Sequence, residues 1–261
     1  MKLLSKISLL FILVGVVLSV TGLALGADTA IHWDNGFRVG QHQGRPIDLN
    51  FAAEDFTHID LNISAGNVRI QQGNSFRLSG NYHGQGLHID ELGDTLSIQS
   101  NRRYHNRGTI GVGIGFFRNE QNQLTLTIPE NITLEALNAT VGLGNIDIAD
   151  LIAQSAFVQT GAGNIHCRNI HFTDASFHTG AGNIDISGIL QGQCNLSSGA
   201  GNLSARLDNY EEDVSWRANA GVGNVRHNGQ NLGRNSNSRV QNPILQLDLD
   251  AGAGNIDFRF R

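Results

Sequence analysis

The sequence predicts an all-β chain wound as a parallel β-solenoid (β-helix), with rungs of about 19–22 residues, behind one N-terminal hydrophobic helix. Three observations predict it. First, a phrase of the form Gly–x–Gly–Asn–aliphatic recurs at 142–146, 161–165, 180–184, 199–203, 221–225 and 252–256, and a variant, SAGNV, stands at 64–68. The asparagines are Asn67, Asn145, Asn164, Asn183, Asn202, Asn224 and Asn255, and the run from Asn145 to Asn202 has a constant spacing of 19 residues. A fixed period near 20 is the mark of stacked supersecondary units. Second, the offsets −8, −6, −4, −2, +1 and +3 from each Asn hold apolar residues at 38 of 42 positions, with mostly polar residues between, which is β-strand alternation. Third, that alternation slips by one residue at each Gly–Asn pair. A slip in a two-residue period means a bend, and Gly and Asn are the residues that tolerate it. One corner per unit, repeating in place, fits parallel coils better than hairpins.

The elements follow in chain order. Residues 7–25 form an uncharged apolar run behind Lys2 and Lys6. Its length suits a membrane span of ~20 residues better than the ~7–15 of a signal-peptide core. Lys before the run and Asp28 after it put the remainder outside the cytoplasm. Ala24-Leu25-Gly26 resembles a cleavage site, so removal of residues 1–27 and secretion stay open. Residues 28–50 read as a polar linker and 51–261 as the repeat domain. Within it, Leu124 to Ile128 is a strong strand stopped by Pro129. Leu151, Ile170, Ile189 and Leu207 mark a third segment that closes each coil. Two insertions, 208–213 and 228–242, lengthen the later period. Charge at Arg259 and Arg261, on a strand expected to end the stack, opposes edge-to-edge growth.

Stacking predicts ladders. The seven Asn residues align as an amide column, and Thr160, Thr179 and Ser198 share one inward offset and predict a hydroxyl column. Cys167 and Cys194 both fall at inward offsets but lie 27 residues apart, which is no multiple of 19, so they read as two buried thiols rather than a bridge.

The net charge is −5, and with both lysines at positions 2 and 6 everything beyond residue 27 carries −7. Nucleic-acid binding, which needs a basic face, is disfavoured. The order of features is an apolar N-terminal segment, a sheet-forming first half, the strand–Pro–strand TIPENITLEAL at 127–137, then Gly-x-Gly-Asn-Ile rungs. In that order the chain resembles the bacterial putative-adhesin family over residues 50–261. The resemblance implies an extracytoplasmic β-solenoid whose activity is unknown. It also implies a surface role beside envelope-stress sensors for some relatives. Family members often carry Gly-Asp where all seven copies here carry Gly-Asn, which speaks against cation binding at this corner.

Candidate sites are few. The outward +2 column brings Asp147, His166 and Asp185 into a file, which reads as a solvated face rather than a metal site, because coils ~4.8 Å apart are too widely spaced for tight ligation. The stretch 108–117 (GTIGVGIGFF) is apolar and flanked by arginines. Ile110, Val112, Ile114, Phe116 and Phe117 with Arg107 and Arg118 form either a lid on the coil stack or a loop for a membrane or partner. The glycines at −3 and −1 leave a flat outward strip. No nucleophile elbow, zinc-protease motif or phosphate loop occurs, so no catalytic residue, metal or cofactor is assigned. The expected function is a membrane-anchored, single-pass surface module that binds a glycan or protein ligand without catalysis. Docking on a membrane sensor protein is the second reading, and a carbohydrate-active enzyme the third.

Overall fold

The computed structural model describes residues 31–33, 37–39, 45–51, 56–82, 87–100 and 122–261. The helix expected over 7–25 lies outside the described residues. Among the described residues no helix is long and apolar enough to cross a membrane. Strands Ile31–Trp33 and Phe37–Val39 form a separate antiparallel pair. Among the described residues twenty further strands join in one sheet whose middle is parallel.

One coil shows how the sequence builds the rest. Strand Ile152–Ala162 turns Ala156, Val158 and Thr160 inward. The chain bends through Gly161 to Asn164, and Ile165–Thr173 continues with Ile165 and Cys167 inward. Asn169 then takes a left-handed φ of 50° and makes a second corner. Ile170 and Phe172 form a short third side, and Asp174, at φ 52°, makes a third corner. Short polar side chains accept this backbone region at lower cost than others do. The next coil repeats the path in parallel register, with Ala156 beside Ala175, Ile165 beside Ile184 and Ile152 beside His171. The second corner has its own ladder, since the Asn169 amide donates to Asp150 Oδ1 at 2.7 Å.

The coils do not stack in chain order. Among the described residues eight lie in parallel. The outermost is made of Thr95–Ser100 and Gln123–Pro129 and packs on the Asn67 coil. The Asn145, Asn164, Asn183 and Asn202 coils follow on the other side. Next comes the Asn255 coil, the last in sequence, and only then the Asn224 coil. Both ends are closed by antiparallel strands. Leu87–Leu92 and Arg77–Tyr82 cover one end, and Arg45–Asn50 pairs on the latter. Gln230–Gly233 and Asn235–Ser238 cover the other. The core runs unbroken through the stack. It is aliphatic along most of its length, with a stacked Phe172–Phe177 pair (6.2 Å between centroids) in the middle. Edge-to-face Phe56–Phe76 and Trp216–Phe258 pairs stand toward its two ends.

Several expectations are corrected. The −2 column faces solvent, not the core: Leu143 is 58% and Val222 70% exposed, and Ala162, Ala181, Ala200 and Ala253 are exposed with them. The bend therefore occupies −3 and −2, and inward alternation resumes at the −1 glycine. The predicted linker contributes a strand to the sheet, Arg45–Asn50. Thr160, Thr179 and Ser198 are buried, yet they do not bond to one another. Each donates its hydroxyl at 2.9 Å to the carbonyl of the −1 glycine one coil earlier: Gly144, Gly163 and Gly182. On the third side of the Asn183 coil Leu190 is the core residue and Ile189 is half-buried, because Gly188 shifts the register there by one. Arg259 and Arg261 do not guard a terminal strand, because the Asn255 coil is flanked on both sides.

Candidate functional site

The Gly–Asn corner is the most regular surface of the molecule, and hydrogen-bond accounting explains its sequence. At the corner the −1 glycine N–H donates to the −2 carbonyl of the next coil, and the +1 N–H donates to the Asn carbonyl there; Gly163 to Ala181 and Ile165 to Asn183 are one such pair, both 2.9 Å. The backbone N–H of the Asn points the other way. Its acceptor is the side-chain Oδ1 of the Asn on the preceding coil, in six consecutive bonds of 2.8–3.1 Å that link Asn67, Asn145, Asn164, Asn183, Asn202, Asn255 and Asn224 in stack order. In three steps the amide Nδ2 also donates to the same oxygen, at 3.1–3.3 Å. The column thus supplies an acceptor for a backbone donor that the sheet leaves over.

Asn183→Ala removes the acceptor of the Asn202 N–H and keeps the bond from its own N–H to Asn164. The expected loss is ~1–2 kcal/mol. Among the described residues Asn224 ends the ladder with its own Oδ1 accepting nothing, so Asn224→Ala is expected to cost under ~0.5 kcal/mol. Equal shifts in denaturation midpoint for the two variants would show that the ladder bond contributes nothing of its own.

Beside the ladder runs the outward strip. The −3 column is Ser64 followed by Gly142, Gly161, Gly180, Gly199, Gly252 and Gly221. The −2 column is Ala65, Leu143, Ala162, Ala181, Ala200, Ala253 and Val222. This strip is flat and apolar, with Leu143 and Val222 as its two large side chains. The outermost coil departs from the pattern. Its first strand ends at Ser100 and its second begins at Gln123, with no Gly–Asn phrase between them. The loop residues named above, Arg107, Ile110, Val112, Ile114, Phe116, Phe117 and Arg118, lie outside the described residues. Their flanks are anchored at the corner: the Ser64 N–H donates to Ser100 Oγ at 2.8 Å, and the Asn122 amide donates to the Ala65 carbonyl at 3.1 Å.

The +2 column aligns as predicted, with His166 between Asp147 and Asp185 in register. His166 Nδ1 lies 3.6 Å from Asp185, which also meets Arg206 at 3.2 Å. Among the described residues no group of three His, Cys, Asp or Glu side chains is arranged to hold a metal ion. Cys167 and Cys194 are both free and buried. Burial pushes both thiols up, Cys194 to about 11, so neither is an available thiolate at neutral pH. A shallow, polar cavity of about 500 Å³ lies between the Asn224 coil and its covering strand, lined by Arg217, Asn219, Asn235, Asn237 and Asp250 among others. Sequence reading missed it, because it depends on the hairpin that folds back over Arg217 and Asn219.

No curated protein matches the chain. Among solved structures, a putative cell adhesion protein from Clostridium sporogenes aligns at 15% identity and a TM-score of 0.46, over 83% of this chain and 100% of that one. A putative adhesin from Bacteroides fragilis aligns at 15% identity and 0.33, over 82% and 97%. A putative lipid binding protein from Parabacteroides distasonis aligns at 14% and 0.33, also over 82% and 97%. A family profile, Toastrack DUF4097, matches residues 56–257, from the buried Phe56 at one end of the core to the +2 aspartate of the Asn255 coil. That span takes in every Gly–Asn corner described above, and the chain belongs to the Toastrack DUF4097 family.

Proposed function

We propose that the protein is a β-solenoid binding module held at the outer face of a cell membrane by residues 7–25, and that it engages a surface ligand, glycan or protein, without catalysis. The observation that carries this reading is the repetitive outward corner. Six coils, from Asn145 to Asn224 in stack order, present the same flat apolar strip beside the amide column, with Leu143 and Val222 standing clear of it. An extended partner can lie along such a strip and meet the same groups at each ~4.8 Å step. Exposed apolar surface that continues along a molecule marks interaction sites more often than chance. Among the described residues the core is filled with apolar side chains along its length.

The test is capture by purified residues 28–261 of material from foreign cell surfaces and glycans, set against the envelope fractions of the protein's own cell. Retention of a foreign glycan or cell, lost in a Leu143→Ser/Val222→Ser double variant, is the expected result. Capture of a membrane protein of the same cell in its place would move the assignment to docking on a sensor. Release of the domain from membranes by deleting residues 1–27 tests the anchor.

A further inference from the structure

We propose that the Asn255 coil is exchangeable between two copies of this chain: residues 243–261 of one copy seat in the slot between the Asn202 and Asn224 coils of the other, and a reciprocal dimer results. The slot follows from the stacking order. The chain completes the Asn202 coil at Leu207, passes through 208–213, and builds the Asn224 coil one coil-height too far away. It then returns and fills the gap. Strand Leu245–Ala253 pairs in parallel with the stretch from Gly192 to Ala200 on one side and with Val214–Val222 on the other. Ile256–Arg259 lies in the same way between Leu203–Leu207 and Val225–His227. Both walls of the slot are thus formed from earlier sequence.

Every group that recognises the filling coil is repeated in each copy. The Asn255 N–H donates to Asn202 Oδ1 and Asn255 Oδ1 accepts from the Asn224 N–H, at 2.9 and 3.1 Å. The Gly201 N–H reaches the Ala253 carbonyl, and the Gly254 N–H reaches the Val222 carbonyl, both at 2.9 Å. Arg217 and Asn219 reach Asp248 and Asp250, at 3.0 and 3.1 Å. Phe258 packs on Trp216 and His227. None of these contacts depends on which chain supplies the coil.

The connection favours opening. Residues 239–242 are mostly exposed and lie outside any strand. Asn242 holds a left-handed φ of 56° immediately before Pro243. A proline ring restricts the residue before it to extended backbone, so the closed hinge carries strain that an extended hinge loses. Short hinges under strain are a recognised route to exchange. Against this stands the tether, which presents a chain's own coil at an effective concentration in the ~mM range. Exchange is therefore a property of crowded copies.

The experiment uses the full chain in detergent. Ser204 and Asp257 are register partners across one wall of the slot, and both side chains face outward. Chains carrying only Ser204→Cys are mixed with chains carrying only Asp257→Cys, unfolded under reducing conditions, refolded together over a range of concentrations and then oxidised. The expected result is a covalent dimer linked between positions 204 and 257. Its yield should rise in proportion to concentration and fall several-fold when Asn242→Gly relaxes the hinge. A double variant with both changes in one chain controls for geometry. If it links internally while the mixed chains stay unlinked at every concentration, the proposal is wrong. Light scattering on the unaltered chain, refolded at the same concentrations and then diluted, gives an independent reading. A dimer that survives dilution supports exchange, and monomer throughout overturns it. A dimer linked through any other pair of positions also overturns it.

Discussion

Gly182→Ala is expected to lower the stability of the domain by at least ~3 kcal/mol. Two separate effects act at this position. Its φ is 150°, where an L side chain is strained. A Cβ built there would also stand inside the carbonyl oxygen of Gly163 on the neighbouring coil. The obstacle is backbone held in a sheet, so it has no flexible end to move aside. Relief would require the Asn164 and Asn183 coils to separate at the corner, which breaks the Gly163–Ala181 and Ile165–Asn183 bonds at once. Gly93→Ala separates the two effects. Gly93 also has a positive φ, 63°, but nothing lies within 4 Å of the added methyl, so only the dihedral cost of ~1 kcal/mol applies. Denaturant midpoints of the two variants make the comparison. Equal losses would mean that coil contact at the corner is looser than the geometry states.

The same glycine explains what could and could not be read from the residues. The period, the parallel coils and the Asn column were legible, because they rest on identities that recur: an Asn every 19 residues and apolar side chains at fixed offsets. The direction of the −2 column was not. Ala is small and apolar enough to count as inward in any alternation pattern, and five of the seven copies carry it, at 65, 162, 181, 200 and 253. Leu143 and Val222 stand at the same offset and are exposed, and a count of apolar residues has no means of telling burial from display. The hydroxyl column failed for a related reason. Thr160 shares an offset with Thr179, but its hydroxyl donates to the Gly144 carbonyl of the preceding coil instead. The second and third corners, at Asp150, Asn169 and Asp174, carried a usable signal in their residue types. It was masked because their identities vary between copies while the Gly–Asn phrase does not.

The order of the coils was illegible for a deeper reason, and it sets the other large expected effect. All coil interfaces obey one rule, so nothing in residues 252–258 says whether they dock on 199–205 or on 221–227. In the structure they dock on both. Were the Asn255 coil at the end of the stack, deleting 243–261 would give up one interface and leave the rest folded, as trimming a terminal repeat does. Because it is interior, deletion is expected to unfold the Asn224 coil and its covering hairpin as well. Leu245, Leu247, Leu249, Ile256 and Phe258 are all 2% exposed or less. At ~1.5–3 kcal/mol for each buried side chain, the loss is on the order of 10 kcal/mol. The Asn224 coil cannot recover this by closing onto the Asn202 coil, since the register would set Trp216 over Cys194 and His227 over Ala205. The deletion itself takes from Trp216 the ring of Phe258, which now lies 4.8 Å away. Hydrogen exchange reads the outcome directly. Amides of Val214–Val222 and Val225–His227 should lose protection, and those of the Asn145 to Asn183 coils should keep it. Protection retained over 214–227 would mean that coils re-dock freely. The stacking order would then be a preference of the intact chain rather than a requirement of its core.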